Sequence, residues 1–351
     1  MRELIVVAFV LVAAACGDDS EPFDAGRDTA DSASDAPIHD APTSDAAADA
    51  ADAADAEDAS LDAFDAGPGG PADPFDGIGD IELVAESHED VNFQFLEGPH
   101  WRPDGTLVFS DLAFGAPGNA TIYVLTPPST IAILRRPSGG ANGNATAPDG
   151  ELVTCLQADR KVVRGTATAT DVVTEYMGDP LNAPNDLVFR SDGTWYFTDP
   201  GYGVADPDLA FRGVFRVTPG DELFAEYTDA ESRRPNGIAL SPDEGTLYVS
   251  DTEAGVVRAF DVAPDGSLSE GRLFVPSISG ADGMAIDVTG NVYVATSSGV
   301  QVFNPEDGSL WGTIELPRTP ANCAFGDTDK RTLYVTAREG LYRVRLPVVG
   351  I

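Results

Sequence analysis

Six polar residues recur along the chain at similar intervals, and their chemical types point to a cation site. Each is a carboxylate or an amide: Glu97, Asn142, Asn185, Asn236, Asp282 and Asn322. Successive members are 45, 43, 51, 46 and 40 residues apart. Carboxylate and amide oxygens are the ligands that hard cations such as Ca²⁺ and Mg²⁺ prefer. A fold that brings these residues together would create a site for a divalent cation.

The segments that follow these residues predict the fold. Each segment leads through a turn into a strand-like run, such as Thr-Leu-Tyr-Val-Ser-Asp at 246–251. An Asp-Gly turn between two apolar runs is a strong hairpin signal. A period of about 40–50 residues in an all-β sequence is typical of propeller blades. We therefore predict an all-β, six-bladed β-propeller over residues 81–351, in which the six polar residues start the innermost strands. For any one of them, and for Asn142 and Asn322 in particular, the alternative is a residue that only caps a turn.

The two ends of the predicted propeller carry matching strand patterns. Residues 81–85 alternate between apolar and polar side chains, as do residues 341–346. Pairing of these two segments would close the ring and remove an open sheet edge. Cys155 and Cys323 fall in the second and sixth repeats, which are not neighbours in a ring of six, so we predict no disulfide between them.

The N-terminal residues 1–15 predict an exported protein. Residues 4–15 contain no charge but are too few to span a bilayer, which is typical of a signal peptide. Small residues precede Cys16, as in a bacterial lipobox, so we predict cleavage before Cys16 and its acylation. The alternative is an ordinary secretory signal that is cut after Ala15. We expect a protein of the outer membrane or periplasm that is held to the membrane only by the lipid on Cys16.

Residues 16–80 form an acidic, Asp/Ala-rich segment with little apolar bulk. Such a segment cannot build a core, so we predict a disordered tether between the anchor and the propeller. The whole chain has 58 Asp and Glu against 21 Lys and Arg, for a net charge of −37. This charge repels phosphate backbones and argues against a nucleic acid partner. We expect a monomer that acts on a small molecule.

Several motifs resemble the gluconolactonase/regucalcin family, which is also called the senescence marker protein and luciferin-regenerating enzyme family. They are Leu-Glu-Gly-Pro-His-Trp at 96–101, Ala-Pro-Asn-Asp-Leu at 183–187, Thr-Asp-Pro-Gly-Tyr-Gly at 198–203, Arg-Pro-Asn-Gly-Ile-Ala at 234–239 and Ala-Asp-Gly-Met-Ala at 281–285. The resemblance covers about residues 90–346. It implies a six-bladed propeller with one divalent cation at the mouth of its tunnel.

The resemblance also implies roles for individual residues. The metal ligands would be Glu97, Asn236 and Asp282, with Asn185 lining the site or coordinating directly. Ca²⁺ is the first expectation, and Zn²⁺, Mg²⁺ and Mn²⁺ are the alternatives. Asp282 would be the general base or nucleophile of a hydrolase that opens lactones.

The predicted substrate pocket contains Asn142, Asn185, Asp199 and Tyr202. One departure from the family pattern lies beside it: bacterial relatives often carry Cys-Glu-His where this chain has Cys-Leu-Gln at 155–157. The loss of an acidic and a titratable group shifts the expectation away from sugar lactones. Two other functions stay open: a surface-displayed propeller that binds a ligand without catalysis, and a phosphotriesterase that uses the same site.

Overall fold

The computed structural model describes residues 73–87, 92–204, 207–228 and 234–351. The predicted signal peptide, Cys16 and residues 17–72 of the predicted tether lie outside these ranges. Within them the protein is built from β-strands, with one short 3₁₀ helix at Pro117–Asn119 and no α-helix. No described helix has the length and apolar character needed to cross a membrane.

The strands form six four-stranded antiparallel sheets, which we call blades 1 to 6. Blade 1 contains Leu96–Trp101, Leu107–Asp111, Thr121–Thr126 and Thr130–Arg135. Blade 2 contains Ala141–Thr146, Leu152–Leu156, Lys161–Arg164 and Thr170–Val173. Blade 3 contains Leu187–Phe189, Trp195–Asp199, Gly213–Val217 and Leu223–Tyr227. Blade 4 contains Pro235–Leu240, Thr246–Asp251, Val256–Asp261 and Arg272–Val275. Blade 5 contains Met284–Ile286, Val292–Thr296, Gly299–Phe303 and Leu310–Ile314.

Blade 6 is completed by the N-terminal strand of the propeller. Its sheet runs from Asn322–Gly326 through Thr332–Ala337 and Gly340–Arg345 to Glu82–Glu86. Glu82 lies opposite Arg343, and their side chains form an ion pair of 2.7 Å. The first strand of each blade contacts the first strands of both neighbouring blades. The six-bladed propeller and its predicted closure are thereby confirmed. Outside the blades, Glu175–Tyr176 and Asp179–Pro180 form a small hairpin.

The core lies between the blades because their second strands are buried on both faces. In Leu107–Asp111, Leu152–Leu156 and Val292–Thr296 every residue is buried. Aromatic rings join neighbouring blades, as where Tyr293 meets Phe325 edge to face at 5.1 Å between ring centroids. Cys155 and Cys323 are buried and free, as predicted.

The folded unit begins earlier than the sequence predicts. Phe75 and Ile78 lie in the predicted tether, yet both pack against the core of blades 5 and 6. The N–H of Gly79 also donates to the carbonyl of Arg345, in blade 6, at 2.8 Å. The boundary therefore lies before residue 81.

Candidate active site

The six recurring residues lie at or just before the first strands of the six blades. Five are buried, and Asp282 is half-buried. Hydrogen bonds join some of them to the chain neighbours of others: Gly143 N–H donates to the carbonyl of Asn185 at 2.8 Å, and Asn322 Nδ2 donates to Asp186 Oδ2 at 3.5 Å. Glu97 also interacts directly with Asp282 and Asn322, and Asp282 with Asn236. The packing is tight, because a Cβ on Gly283 would lie 1.9 Å from Cγ of Asn322. The predicted convergence is therefore present, and we call these six residues the ring.

A Ser/Thr-Asp pair at the end of the second strand positions the ring in three blades. The hydroxyls of Ser110, Thr198 and Ser250 each donate at 2.7 Å to the backbone carbonyl of a ring residue in the next blade. These carbonyls belong to Asn142, Asn236 and Asp282. Each hydroxyl thus fixes the backbone of the next ring position, a role that the sequence analysis did not assign to these residues.

The aspartate of each pair holds the loop that enters its own blade. Asp199 accepts hydrogen bonds from the backbone N–H groups of Asn182, at 2.7 Å, and Ala183. Asp111 and Asp251 bond the equivalent loops of blades 1 and 4. Asp199 is 0% exposed, and its observed role is to fix the loop before Asn185, so its contact with substrate stays a prediction.

Three carboxylates lie close enough to influence one another: Glu97, Asp186 and Asp282. Burial, followed by the charge of Asp282, raises the pKa of Glu97 above its usual range. Burial and the charge of Asp186 raise the pKa of Asp282 to about 7, against the opposing hydrogen bond of Asn236. Burial also raises the pKa of Asp186 to about 6. The three groups therefore form a desolvated acidic cluster.

Asp186 is the member of this cluster that the sequence analysis did not include among the site residues. Its Oδ1 accepts the N–H of Leu187 at 2.9 Å, and its Oδ2 accepts Asn322 Nδ2. It lines a cavity of about 180 Å³ in the central channel, together with Asn322 and His100. The sequence signal was present, since Asp186 directly follows a ring residue.

The donor atoms of this site suit an oxygen-preferring cation. Within the described residues none of the three carboxylates forms a salt bridge, and Arg338 acts on Asp282 only through its charge, which opposes the rise in the pKa of Asp282. Buried like charges without a paired counter-charge are costly, and a bound cation would relieve that cost. Across the same ranges, no group of three or more His, Cys, Asp or Glu side chains is arranged to hold a metal, so a cation at the ring would also need amide oxygens as ligands.

The ring amides differ in how far their side chains are already engaged. Asn142 Nδ2 donates to Gln157 Oε1 at 3.2 Å, and Asn322 bonds Asp186 and its neighbour Cys323. Asn236 Nδ2 donates to Tyr202 Oη at 3.2 Å and to Thr252 Oγ1 at 3.0 Å, which leaves its Oδ1 as the atom suited to a cation. The residues present therefore fit a divalent cation held by Glu97, Asp282 and Asn236.

The family assignment follows from the sequence signature that covers the blades. Residues 95–339 match the family described as SMP-30/Gluconolactonase/LRE-like region. The chain belongs to this family. One similar protein is a gluconolactonase from Zymomonas mobilis subsp. mobilis, which is 33% identical over 77% of this chain and 82% of its own length.

Two solved structures of the SMP-30/gluconolactonase/LRE-like fold match along nearly their full lengths. A gluconolactonase from Xanthomonas campestris is 34% identical with a TM-score of 0.66, over 80% of this chain and 98% of that one. Regucalcin from Agrobacterium tumefaciens, a calcium-binding protein, is 18% identical with a TM-score of 0.65, over 78% and 96%. The latter supports the fold alone.

In this member of the SMP-30/gluconolactonase/LRE-like family, Tyr202 lies beside the ring. Its hydroxyl accepts the hydrogen bond of Asn236, and the guanidinium of Arg234 lies 4.8 Å from its ring centroid. Burial, opposed by a hydrogen bond with Thr252, raises the pKa of Tyr202. Contact of Tyr202, Asn142 and Asn185 with substrate stays a prediction.

His100 gives a pH-dependent contribution to the stability of the propeller. It shares a hydrogen bond of 2.8 Å between its Nε2 and Thr146 Oγ1. Burial, and then the charges of Lys330 and Arg102, lower its pKa to about 4. In the unfolded chain a histidine titrates near 6.5, so between the two values the unfolded state binds more protons. This contribution is complete above pH ~6.5 and is lost as the pH falls toward 4.

We expect His100→Gln to flatten the pH dependence of stability. The free energy of unfolding, measured with urea, should fall between pH 7.5 and pH 4.5 in both proteins. The fall should be larger in the wild type than in the variant, by at most about 3 kcal/mol. The comparison isolates His100, because the other titrating groups are common to both proteins. An equal change in the free energy of unfolding with pH in the two proteins would contradict this account.

Proposed function

We propose that this protein hydrolyses lactones with a divalent cation held by Glu97, Asn236 and Asp282, and with Asn185 as a further ligand or substrate contact. The observation that carries the proposal is the desolvated acidic cluster at the ring. Among the described residues no salt bridge neutralises its three carboxylates, and the only cationic charge that opposes their raised pKa values is that of Arg338. Relatives named gluconolactonase support the reaction class. The oxygen donors favour Ca²⁺, with Mg²⁺, Mn²⁺ and Zn²⁺ as the alternatives.

When bound, the cation would polarise the lactone carbonyl and stabilise the negative charge that develops on its oxygen. Asp282 is the proposed general base, and one of its carboxylate oxygens takes the proton of the attacking water. Without the cation, burial and the charge of Asp186 raise the pKa of this carboxylate to about 7. A bound cation would lower that pKa and keep the carboxylate ionised, which is the form that accepts a proton. Direct attack by the same carboxylate is the alternative.

Other residues of the chain set the geometry. The backbone of Asp282 is fixed by Ser250, and the Asn236 amide is oriented by Tyr202 and Thr252. Glu97 Oε2 accepts its neighbouring Gly98 N–H at 3.0 Å, which fixes the carboxylate against the ring. These bonds hold the reacting groups before substrate arrives, so less ordering remains for the reaction itself.

The test is a lactone hydrolysis assay on chelator-treated protein that is resupplied with each cation in turn. The proposal expects activity that returns with one cation. Hydrolysis of a phosphotriester such as paraoxon without lactone hydrolysis would favour the phosphotriesterase alternative. Tight cation binding without either activity would favour a propeller that binds a ligand.

The cellular placement is also a proposal, and it rests on residues 1–80 of the sequence. We propose export to the outer membrane or periplasm, a lipid on Cys16, and a monomeric propeller on an acidic tether. Mass spectrometry of the N-terminal peptide distinguishes a diacylglyceryl Cys16 from an unmodified one. A peptide that starts with unmodified Cys16 would instead support the ordinary secretory signal.

A further inference from the structure

A groove of about 460 Å³ lies beside the ring. One wall is formed by the loop after the second strand of blade 1, with Leu112, Ala113 and Phe114. The opposite wall is residues 202–204, in the connection after the second strand of blade 3, and the floor is Gln157 and Ala158, in the connection after the second strand of blade 2. The volume falls within the range of small-molecule sites, about 300–1,000 Å³.

The groove is continuous with the ring through two hydrogen-bonded side chains. Tyr202, on the groove wall, accepts from Asn236 at 3.2 Å. Gln157, on the floor, accepts from Asn142 at 3.2 Å and donates to the carbonyl of Tyr202 at 3.4 Å. A substrate whose carbonyl lies at Asp282 therefore has the groove as a neighbouring space for its substituents.

The lining of the groove is mainly apolar. Phe114 is 58% exposed, and its ring is supported by Phe95 at 5.2 Å between centroids. An exposed aromatic next to a candidate site is the type of surface that a ligand covers. Leu112 and Val204 extend this apolar surface on the two walls.

The polar groups of the lining are already bonded within the protein. The Arg160 guanidinium donates to the carbonyls of Leu181 at 2.7 Å and Asn182 at 3.0 Å, and it pairs with Asp208 at 2.5 Å. Gln157 is held by Asn142 and Tyr202. Several polar partners for the hydroxyl groups of a sugar are therefore engaged elsewhere, and the charge of Arg160 is paired.

We propose that the groove binds an apolar acyl or aryl substituent, so that the substrates are lactones with an apolar side chain rather than polyhydroxylated sugar lactones. The inference rests on the proposed lactone hydrolysis at the ring. It assigns Phe114 as a specificity-determining residue on the wall that faces Tyr202.

The first measurement is kcat/KM along a series from γ-butyrolactone to γ-decalactone, with glucono-δ-lactone for comparison. Each buried methylene is expected to raise kcat/KM about fourfold until the groove is filled. In Phe114→Ser the decalactone value should fall by roughly tenfold, mainly through KM, while the butyrolactone value stays within about twofold. Phe224→Ser is the matched control, because Phe224 is 40% exposed but lies on the outermost strand of blade 3.

A second measurement does not depend on catalysis. Cyclopentanones with 3-alkyl chains of increasing length carry the chain at the position equivalent to the γ-carbon of the lactones, keep the ring carbonyl and cannot be hydrolysed. Their binding can be followed by calorimetry in the presence of Ca²⁺. The proposal expects affinity that rises with chain length in the wild type and in Phe224→Ser, but not in Phe114→Ser.

The outcomes separate the two proposals. Chain-dependent binding without hydrolysis of any lactone would leave the groove assignment standing and overturn the proposed function. Hydrolysis with no chain-length dependence and no effect of Phe114→Ser would overturn the groove assignment alone. Absence of both chain-dependent binding and lactone hydrolysis would overturn both.

Discussion

Asp282→Asn is expected to lower kcat for lactone hydrolysis by at least about 10³-fold, because general-base and nucleophilic roles each contribute in this range. The amide keeps the size of the carboxylate but cannot accept a proton from water, and it is a weaker cation ligand. The measurement is kcat at saturating substrate and at a cation concentration that saturates the variant. Saturation with the cation matters, since it separates the loss of the base from the loss of a ligand.

The melting temperature of Asp282→Asn shows whether a loss of activity results from unfolding. Asp282 adds negative charge next to Glu97 and Asp186, and these groups are desolvated. Removal of one charge should leave the melting temperature in chelator unchanged or raise it. Asp104→Asn, on an exposed turn, is the control for charge alone and should keep full activity. Retained turnover in Asp282→Asn would show that Asp282 is not the general base or nucleophile. A loss of turnover together with a lower melting temperature would be explained by misfolding.

The spacing of the sequence was sufficient to predict the architecture of this protein. Hairpin turns and alternating strands are local features, and their period of 40–51 residues fixes the number of blades. The pairing of Glu82–Glu86 with Gly340–Arg345 was also predictable, because an all-β ring without it has an open edge. The ring residues could be found for the same reason: they occupy equivalent positions in successive repeats.

The partners of the individual aspartates were not predictable in the same way. Asp199 and Asp186 are both aspartates beside a first or second strand, yet Asp199 bonds the loop at 182–183 and Asp186 lies buried with Glu97 and Asp282. Which backbone groups each carboxylate reaches depends on how blades pack, and the spacing of residues in the sequence does not contain this information. The packing of Phe75 was missed because its neighbours are rich in Gly, Pro and Asp, a composition that predicts a tether.

Addition of Ca²⁺ to chelator-treated protein is expected to raise the melting temperature, and Glu97→Gln is expected to reduce that rise. A ligand at 100 times its dissociation constant stabilises the folded state by about 2.7 kcal/mol, which corresponds to roughly 5–10 °C for a domain of this size. The reason is the acidic cluster, because a cation held by Glu97 and Asp282 would stabilise their ionised forms, which burial and mutual repulsion otherwise disfavour. Differential scanning fluorimetry with Ca²⁺, Mg²⁺, Mn²⁺ and Zn²⁺ in turn ranks the cations.

The Glu97→Gln comparison also removes the contribution of the acidic segment at 16–80, which can bind divalent cations loosely. That segment is intact in both proteins, so any shift that it causes is common to them and cancels in the difference. The glutamine introduced by Glu97→Gln is neutral and close in size to glutamate, so relief of the repulsion with Asp282 should raise the melting temperature in chelator. The variant should therefore be the more stable protein in chelator, while the wild type should gain more from added cation. Equal cation-induced shifts in the two proteins would place the bound cation outside the ring and would leave Asp282 without the partner that the proposed reaction requires.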